Sequence, residues 1–266
     1  MKIMAFLKKD FLIMISYRFN LLIQFAKIFI SLLMFYFIGE TFGSAISPYL
    51  GRYGGNYFAY VLVGSAVSTF ASVGLEALAG EVRSAQVEGT LEALLSTPTS
   101  IYTILIGNSL WSFIEAFIES LLLVTIGIVF LSLEVSLAGA FGTLLILSLT
   151  LAAFLSIGML SASFVMIFKQ GNPIPFIFGS SSYFLGGMIF PVEVLPQPLQ
   201  YVSQLLPITH AIKALRELLL ARTTVEAIVP LLINLGIFIA ILSPLSIIIF
   251  RIAVKRAKRD GSLVQY

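Results

Sequence analysis

Long stretches without Asp, Glu, Lys or Arg dominate the pattern of hydrophobic and polar positions along the chain. They cover 53–75, 93–114, 135–168, 170–192 and 227–250, and a weaker stretch at 19–38 contains Lys27. A helix needs roughly 20 mostly apolar residues to cross the hydrocarbon core of a bilayer. These stretches lack the apolar–polar alternation of membrane-barrel strands. The pattern therefore predicts an all-α membrane protein with six transmembrane helices, listed in chain order: 19–38, 57–79, 104–131, 137–168, 173–190 and 227–250.

The amino-acid composition is too apolar for a soluble domain. Of the 266 residues, 59% are hydrophobic and 11% are charged, against about 45–50% and about 25% in soluble proteins. A chain of this length cannot bury so large an excess in one core, so lipid must be the solvent for much of its surface. The composition predicts a multi-pass protein of the cell (plasma or inner) membrane, formed as one transmembrane domain over 1–266. Cysteine is absent, which excludes disulfides and thiolate metal sites.

The Lys and Arg residues predict which side of the membrane each segment faces. Cytoplasmic segments carry an excess of these residues. With the N-terminus inside, the inner segments hold 11 of the 16 basic residues, the outer segments hold four, and Lys27 lies within the first span. The outer four are Arg52, Lys213, Arg216 and Arg222. Both termini are therefore predicted to be cytoplasmic, and the net charge of +3 is interpreted as an orientation signal, with no nucleic-acid partner.

Residues 1–17 form a predicted interfacial helix before the first span. Four apolar side chains share one face at i, i+3 and i+4 spacing: Met4, Leu7, Phe11 and Met14. A helix of this kind lies in the plane of the membrane surface, with its apolar face in the lipid. The alternative is that the segment extends the first span as one long helix.

A short amphipathic helix is predicted at 88–98, between the second and third spans. Gly89 ends the preceding helix, and Thr90 can cap the new one. Thr97 followed by Pro98 is a typical start for the next helix. Three leucines share one face of the short helix: Leu91, Leu94 and Leu95. This apolar ridge is predicted to face the cytoplasm, where it meets either a partner protein or the lipid headgroups, and periodicity leaves both open.

The segment after the fifth span is unusually apolar for an outer loop. Four prolines punctuate it at 191, 196, 198 and 207, and Gly186 and Gly187 precede it as a hinge or close-packing point. A freely solvated loop would be polar. Residues 191–206 are therefore predicted to dip back toward the membrane as short broken helices, with a further helix at 208–222.

Three charged residues fall inside the predicted spans: Lys27, Glu115 and Glu119. Each costs at least about 2.5–3.5 kcal/mol in lipid, so they should face protein or a water-filled cavity. Glu115 and Glu119 lie at i, i+4 on one helix face. Lys27 and Glu115 are predicted at similar depths. One hypothesis is a buried charge cluster along a pathway open to the cytoplasm, and the alternative is a static structural ion pair.

Catalytic and cofactor motifs are missing from the sequence. It contains no G-x-x-x-x-G-K-[ST] phosphate loop, no H-E-x-x-H, no G-x-S-x-G and no paired metal-ligand spacing. We therefore expect no catalytic residues, no bound cofactor and no metal on this chain. If the protein performs driven work, the energy source is on another chain.

Two motifs resemble one known family. The run Glu88-Gly-Thr-Leu-Glu-Ala-Leu-Leu-Ser-Thr-Pro98 resembles a signature of the permease subunits of type 2 ABC transporters, the ABC-2 family. A second match is Gly187-Met-Ile-Phe-Pro-Val-Glu-Val-Leu-Pro196, followed by Leu206-Pro-Ile-Thr-His-Ala-Ile-Lys-Ala-Leu-Arg216. The resemblance covers nearly the whole chain, although His210 stands where the family has an aromatic such as Tyr.

The resemblance implies a transport subunit that exports drug-like, lipid or glycan molecules. Family members pair with a second permease, in a homodimer or heterodimer, and each binds a separate ATPase subunit that holds ATP and Mg²⁺. The coupling helix seated on that ATPase corresponds here to these residues: Gly89, Thr90, Leu91, Glu92, Leu94, Leu95 and Pro98. The outer gate corresponds to Gly186, Gly187, Pro191 and Pro196.

Two other functions compete with ATP-driven export. A secondary transporter or ion channel could use Glu115 and Glu119 as a cation or proton site. A membrane scaffold would transport nothing. A secondary carrier would more often show internal repeats and helices broken at matching positions, which this sequence lacks, and a scaffold would not need charges inside its spans.

Overall fold

The computed structural model describes residues 2–131, 136–169 and 171–259, and the regular secondary structure in these ranges is helical. The α-helices are α1 Lys2–Ser16, α2 Arg18–Ile46, α3 Tyr57–Val87, α4 Leu91–Ser96, α5 Ile101–Leu131, α6 Leu137–Phe168, α7 Pro173–Leu185, α8 Gln197–Gln204, α9 Pro207–Leu219 and α10 Val225–Arg259. Two 3-10 segments lie at Ser47–Tyr53 and Val192–Val194. The prediction of an all-α membrane fold is confirmed.

The described part of the chain has five helices long and apolar enough to cross a membrane, where the sequence predicts six. They are α2, α3, α5, α6 and α10. The predicted span at 173–190 contains α7, which has only 13 residues and is about 20 Å long. The pattern overestimates this helix because the apolar run continues past Leu185, whereas the backbone turns at Gly187 with a φ of +79°. Only glycine adopts that conformation readily.

Helix α3 forms the centre of the bundle and packs mainly against α5 and α6, while α6 packs on α10. Glycines allow the closest of these approaches. A Cβ atom added at Gly158 of α6 would lie 2.2 Å from the carbonyl oxygen of Gly74 in α3. Small residues at such crossings let helices in membranes gain van der Waals contact, so this contact fixes the α3–α6 pair.

Helix α2 lies at the edge of this core. Only 6% of its most apolar window is buried within the protein, against 67% for α3. It contacts α1, α3 and the 3-10 segment that follows it. A helix that is apolar on all sides and exposed needs lipid or another protein around it, so α2 belongs to the lipid-facing perimeter of this subunit.

The two ends of the bundle differ in composition. The termini end comprises α1, α4, the start of α5 and the last turns of α3, α6 and α10, and Lys258 donates to the carbonyl oxygen of Leu95 there at 3.2 Å. The far end comprises the Ser47–Tyr53 segment, the first turns of α3, α8 and α9. The chain travels from the termini end to the far end between Pro173 and Met188, since Pro175 lines a cavity with Arg83 and Gly187 meets Tyr60.

Candidate functional site

The caps predicted around α4 are not the ones that the structure has. Gly89 follows α3 with a φ of +68°. Thr90 has a helical backbone and makes no side-chain cap, because an N-cap residue is extended, and its hydroxyl instead donates to Ala85 O at 3.4 Å. The Thr97 hydroxyl donates to Leu94 O at 2.8 Å. Thr97 therefore closes α4, whereas the sequence assigned it to the start of α5.

The three leucines of α4 face the protein. Leu91 is 1% exposed, and Leu94 and Leu95 are half-buried against the same apolar cluster. The cluster draws on α3, α5, α6 and α10 and includes Leu78, Val82, Leu105, Met166 and Phe250. The prediction that this ridge is presented to the cytoplasm is wrong. Helix α4 packs on α3 and α5, and Lys258 of α10 donates to the carbonyl oxygen of Leu95. A contact so distant in sequence cannot be recognised from the periodicity of the loop alone.

The opposite face of α4 is exposed and acidic. We call it the α4 face, formed by Glu88, Glu92, Ala93 and Ser96. Ser84 donates to Glu88 Oε1 at 2.6 Å, which holds that carboxylate against the end of α3. Pro98 is exposed just beyond it. Because the leucines fix α4 to the bundle, the α4 face is a firmly supported surface at the termini end.

The structure does not bring Lys27, Glu115 and Glu119 together. Lys27 is exposed on α2, which packs on α1 and α3. Glu115 instead accepts a hydrogen bond from Trp111 Nε1 at 2.7 Å. Lys27 takes part in neither the Lys9–Asp10 pair nor the Arg52–Glu217 pair. The prediction that Lys27 belongs to a buried charge cluster with these glutamates is therefore wrong.

Glu115 lies in a groove of about 520 Å³ between α1, α2, α3 and α5, together with Asp10, Glu81 and Asn108. Helix α1 supplies one wall, since Lys9 Nζ donates to Asn108 Oδ1 at 3.4 Å and the first helix crosses α5 at Gly107. The sequence did not predict this wall, because interfacial periodicity does not tell which span α1 rests on.

The four predicted gate residues lie along one connection at the far end. Gly186 caps α7 and Gly187 makes the left-handed turn. Pro191 precedes the Val192–Val194 segment, and Pro196 precedes α8. Gly187 makes a long-range hydrogen bond, because its carbonyl oxygen accepts from the Tyr60 hydroxyl at 3.1 Å.

Arg216 of α9 fastens this connection to the core and is only 3% exposed. Its guanidinium donates to Gly187 O at 2.6 Å, to Met188 O at 2.8 Å and twice to Tyr60 O at 2.9 and 3.1 Å. The same group lies over the Tyr60 ring, 3.3 Å from its centroid, in a cation–π contact. Gly64 leaves the space for it, since a Cβ there would lie 2.6 Å from Nη2.

Arg216 carries its charge despite this burial. Desolvation lowers its pKa from 12.5 to about 10, so the group is protonated at neutral pH. Arg216 was expected to be an outer basic residue at the end of the second family motif, and its role in fastening the connection was not predicted. Its signal was available: Ile208, Ile212, Leu215 and Leu219 form the buried stripe of α9, and 216 falls within that stripe at helical spacing.

A second charge contact ties the far end together. Arg52 Nη2 lies 2.8 Å from Glu217 Oε1, and Glu217 is 5% exposed. The pair joins the Ser47–Tyr53 segment to α9, next to Arg216. Two adjacent buried charges, each with close protein partners, therefore hold the far end together.

The described chain has five long apolar helices, a short helix fixed between two of them, and the buried contacts of Arg216 at the opposite end. These features define a multi-pass membrane protein of the transport class. The family model described as ABC-2 type transporter matches residues 1–220. The chain therefore belongs to the ABC-2 type transporter family and is a permease of an ABC transporter. This membership decides against the secondary carrier, the channel and the scaffold.

Several relatives share most of this length. Nodulation protein J of Rhizobium meliloti (strain 1021) is 28% identical over 190 residues, covering 69% of this chain and 70% of the relative. Nodulation protein J of Neorhizobium galegae is 30% identical over 198 residues, covering 70% and 71%. The probable multidrug ABC transporter permease YbhR of Escherichia coli (strain K12) is 30% identical over 127 residues, covering 46% of this chain and 33% of the relative.

Proposed function

We propose that this permease is the membrane half of an ATP-driven exporter, which binds a separate ATPase subunit at α4 and a second permease subunit along its lipid-facing perimeter. ATP and Mg²⁺ bind to the ATPase subunits. The termini end is cytoplasmic and the far end is outside. The exported solute is a drug-like, lipid or glycan molecule.

The observation that carries the proposal is the arrangement of α4. Its leucines belong to an apolar cluster shared with α3, α5, α6 and α10, and α4 packs directly on α3 and α5, so a force applied to it reaches two long helices at once. Its exposed side is acidic and free of large apolar side chains. This differs from the docking mode that the sequence suggested, because the partner meets the α4 face and the leucines transmit the movement inward.

The docking surface is tested with one substitution placed at two positions. Ala93 lies on the α4 face and Ala5 on α1, both are exposed, and both lie at the termini end. We expect Ala93→Arg to abolish co-purification with the ATPase and its stimulation by the permease, because a long cation there disrupts the contact. Ala5→Arg should leave both unchanged. An intact complex with Ala93→Arg would disprove docking at α4.

This pair is a cleaner test than substitution of the leucines. Leu94→Asp would place a charge in the apolar cluster that supports α4, so it would damage the permease itself. A lost complex in that variant would not distinguish a lost docking surface from a misfolded one. Ala93→Arg adds its side chain to solvent, and the thermal unfolding midpoint of the purified permease checks that the fold is intact.

The orientation is tested by accessibility labelling, for which the natural absence of cysteine gives a clean background. A membrane-impermeant maleimide should label Tyr201→Cys in intact cells, since Tyr201 is 68% exposed on α8. Glu92→Cys should be labelled only after the membrane is permeabilised. Labelling of Glu92→Cys in intact cells would place α4 outside and exclude an intracellular ATPase as its partner.

A further inference from the structure

A large groove at the far end has no assigned role. It has a volume of about 880 Å³ and lies between α2, the first turn of α3 and the last turns of α5. Pockets that hold drug-sized molecules have volumes of about 300–1,000 Å³. The groove has no lining residue in common with the acidic groove at Glu115. It is also distinct from the buried contacts of Arg216, although Tyr57 of the groove lies one helical turn before Tyr60.

One face of α2 forms a whole wall of this groove. The face comprises Phe29, Leu32, Leu33, Tyr36, Gly39, Glu40 and Gly43, which recur at the spacing of three and four residues that aligns side chains along a helix. A Cβ at Gly43 would meet nothing within 4 Å. Gly43 therefore widens the groove near Glu40, whereas a Cβ at Gly39 would lie 3.5 Å from the Tyr57 ring.

Glu40 is the one formally charged side chain among the described residues that line the groove. It lies next to the end of the apolar helix segment Leu22–Thr41, and it takes part in neither the Lys9–Asp10 pair nor the Arg52–Glu217 pair. A carboxylate on a membrane helix is costly unless it has a counter-ion or water, and such residues commonly mark ligand sites. No basic side chain of the described lining supplies that counter-ion.

Aromatic side chains from α2, α3 and α5 line the groove. Tyr36 and Phe58 meet edge to face with ring centroids 6.2 Å apart. Phe29 is 61% exposed and Phe130 is 77% exposed along the groove. Aromatic faces attract cations as well as apolar groups. A groove with aromatic walls and a single carboxylate is complementary to a molecule that has a bulky apolar body and a positive charge.

We propose that this groove binds lipophilic organic cations, with Glu40 as the counter-ion and the Tyr36–Phe58 pair as an aromatic wall. The observation behind it is that an uncompensated carboxylate stands on the aromatic-lined face of α2. That the groove binds such cations is inferred from the structure alone. That these cations are the exported substrates rests on the proposed export function.

Two probe ions test the charge preference directly. Tetraphenylphosphonium and tetraphenylborate have nearly the same size and shape and differ in the sign of their charge. Equilibrium binding of each is measured on the full-length permease in lipid nanodiscs, after subtraction of binding to empty nanodiscs. We expect the cation to bind the permease and Glu40→Gln to weaken it about ten-fold. Binding of the anion should not depend on Glu40.

Three further variants separate charge, shape and folding. Glu40→Asp keeps the charge and should bind the cation within about three-fold of the natural protein, or about 0.7 kcal/mol. Tyr36→Leu keeps the apolar surface but removes the ring, and should weaken the cation more than the anion. Glu226→Gln makes the same change as Glu40→Gln at an exposed carboxylate of the far end outside the groove, and should have no effect.

The outcomes are distinct. Equal binding of both ions that Glu40→Gln leaves unchanged would overturn the proposal and leave a merely apolar groove. Binding no stronger than to empty nanodiscs would overturn it as well. The assay contains no ATPase. Cation binding by an unaltered permease that forms no complex with an ATPase would therefore retain the site and refute ATP-driven export, and a complex without cation binding would refute the site alone.

Discussion

The two ends of the bundle handle charged side chains in opposite ways. At the far end, Arg216 and Glu217 are 3% and 5% exposed, and both have close partners. At the termini end, Glu115 is half-buried beside a groove, and the Lys9 side chain of the Lys9–Asp10 pair is 54% exposed. The buried charges of the far end have close protein partners, whereas these charges of the termini end border water.

This difference indicates where the stability of the subunit lies. A buried charge that loses its partner costs several kcal/mol, so the far end resists small rearrangements until its contacts separate together. An exposed ion pair contributes about 0–1 kcal/mol, so the termini end can exchange partners at little cost. We infer that the far end favours one closed arrangement, whereas the end with α4 can respond to a bound partner.

The largest effect is expected at Arg216. Arg216→Met keeps much of the side-chain length but removes all four hydrogen bonds, and Met188 O loses its donor. We expect a loss of about 2–4 kcal/mol in the free energy of unfolding, measured by SDS titration with helicity as the readout. Arg216→Lys should recover only part of it, because an ammonium cannot match the planar guanidinium.

The control for Arg216 is Lys213→Met, which removes a basic residue one turn earlier on the same helix at a half-exposed position. We expect that change to stay within about 0.5 kcal/mol. Equal stability of the two variants would mean that the buried guanidinium does not hold the far end, and the contrast between the ends would be lost.

A smaller effect is expected when the space beside Arg216 is filled. A Cβ at Gly64 would lie 2.6 Å from Arg216 Nη2 and 3.0 Å from Met188 O, whereas a Cβ at Gly80 would meet nothing within 4 Å. Both glycines belong to α3, one near each end. We expect Gly64→Ala to cost about 1–3 kcal/mol and Gly80→Ala to be neutral or stabilising by up to about 1 kcal/mol, in the same titration. A larger loss of unfolding free energy for Gly80→Ala than for Gly64→Ala would indicate that the termini end is the more rigid one.

The sequence predicts the helices better than it predicts their contacts. Apolar runs locate α2, α3, α5, α6 and α10, because crossing a bilayer imposes a minimum length that is visible without an alignment. The same reasoning predicts a full-length span at 173–190, where the structure has a helix of 13 residues, since hydropathy does not register the turn at Gly187. At that position, the backbone conformation of the glycine determines where the helix ends, and apolar character does not.

The candidate site was less accessible to sequence reasoning because its contacts are long-range. The ridge of Leu91, Leu94 and Leu95 was correctly recognised as apolar, but it joins a cluster that includes the end of α10, more than 150 residues later in the chain. Lys27 and Glu115 were paired by depth, whereas pairing also depends on which faces of α2 and α5 point toward each other. Arg216 was accessible in principle, because its position in the α9 stripe is a local pattern.

The smallest effect is expected from a single substitution made at both ends. Glu115→Gln keeps an oxygen that can accept the hydrogen bond from Trp111, so we expect a change of about 0.5 kcal/mol or less. Glu217→Gln removes the charge that meets Arg52 at 2.8 Å in a buried position, and we expect a loss of about 1–2 kcal/mol. Trp111 is the only tryptophan, so its emission reports locally on the first change and should be unaffected by the second. If Glu115→Gln proved the more destabilising of the two, the half-buried groove would carry stability that its exposure does not indicate, and the two ends would be equally rigid.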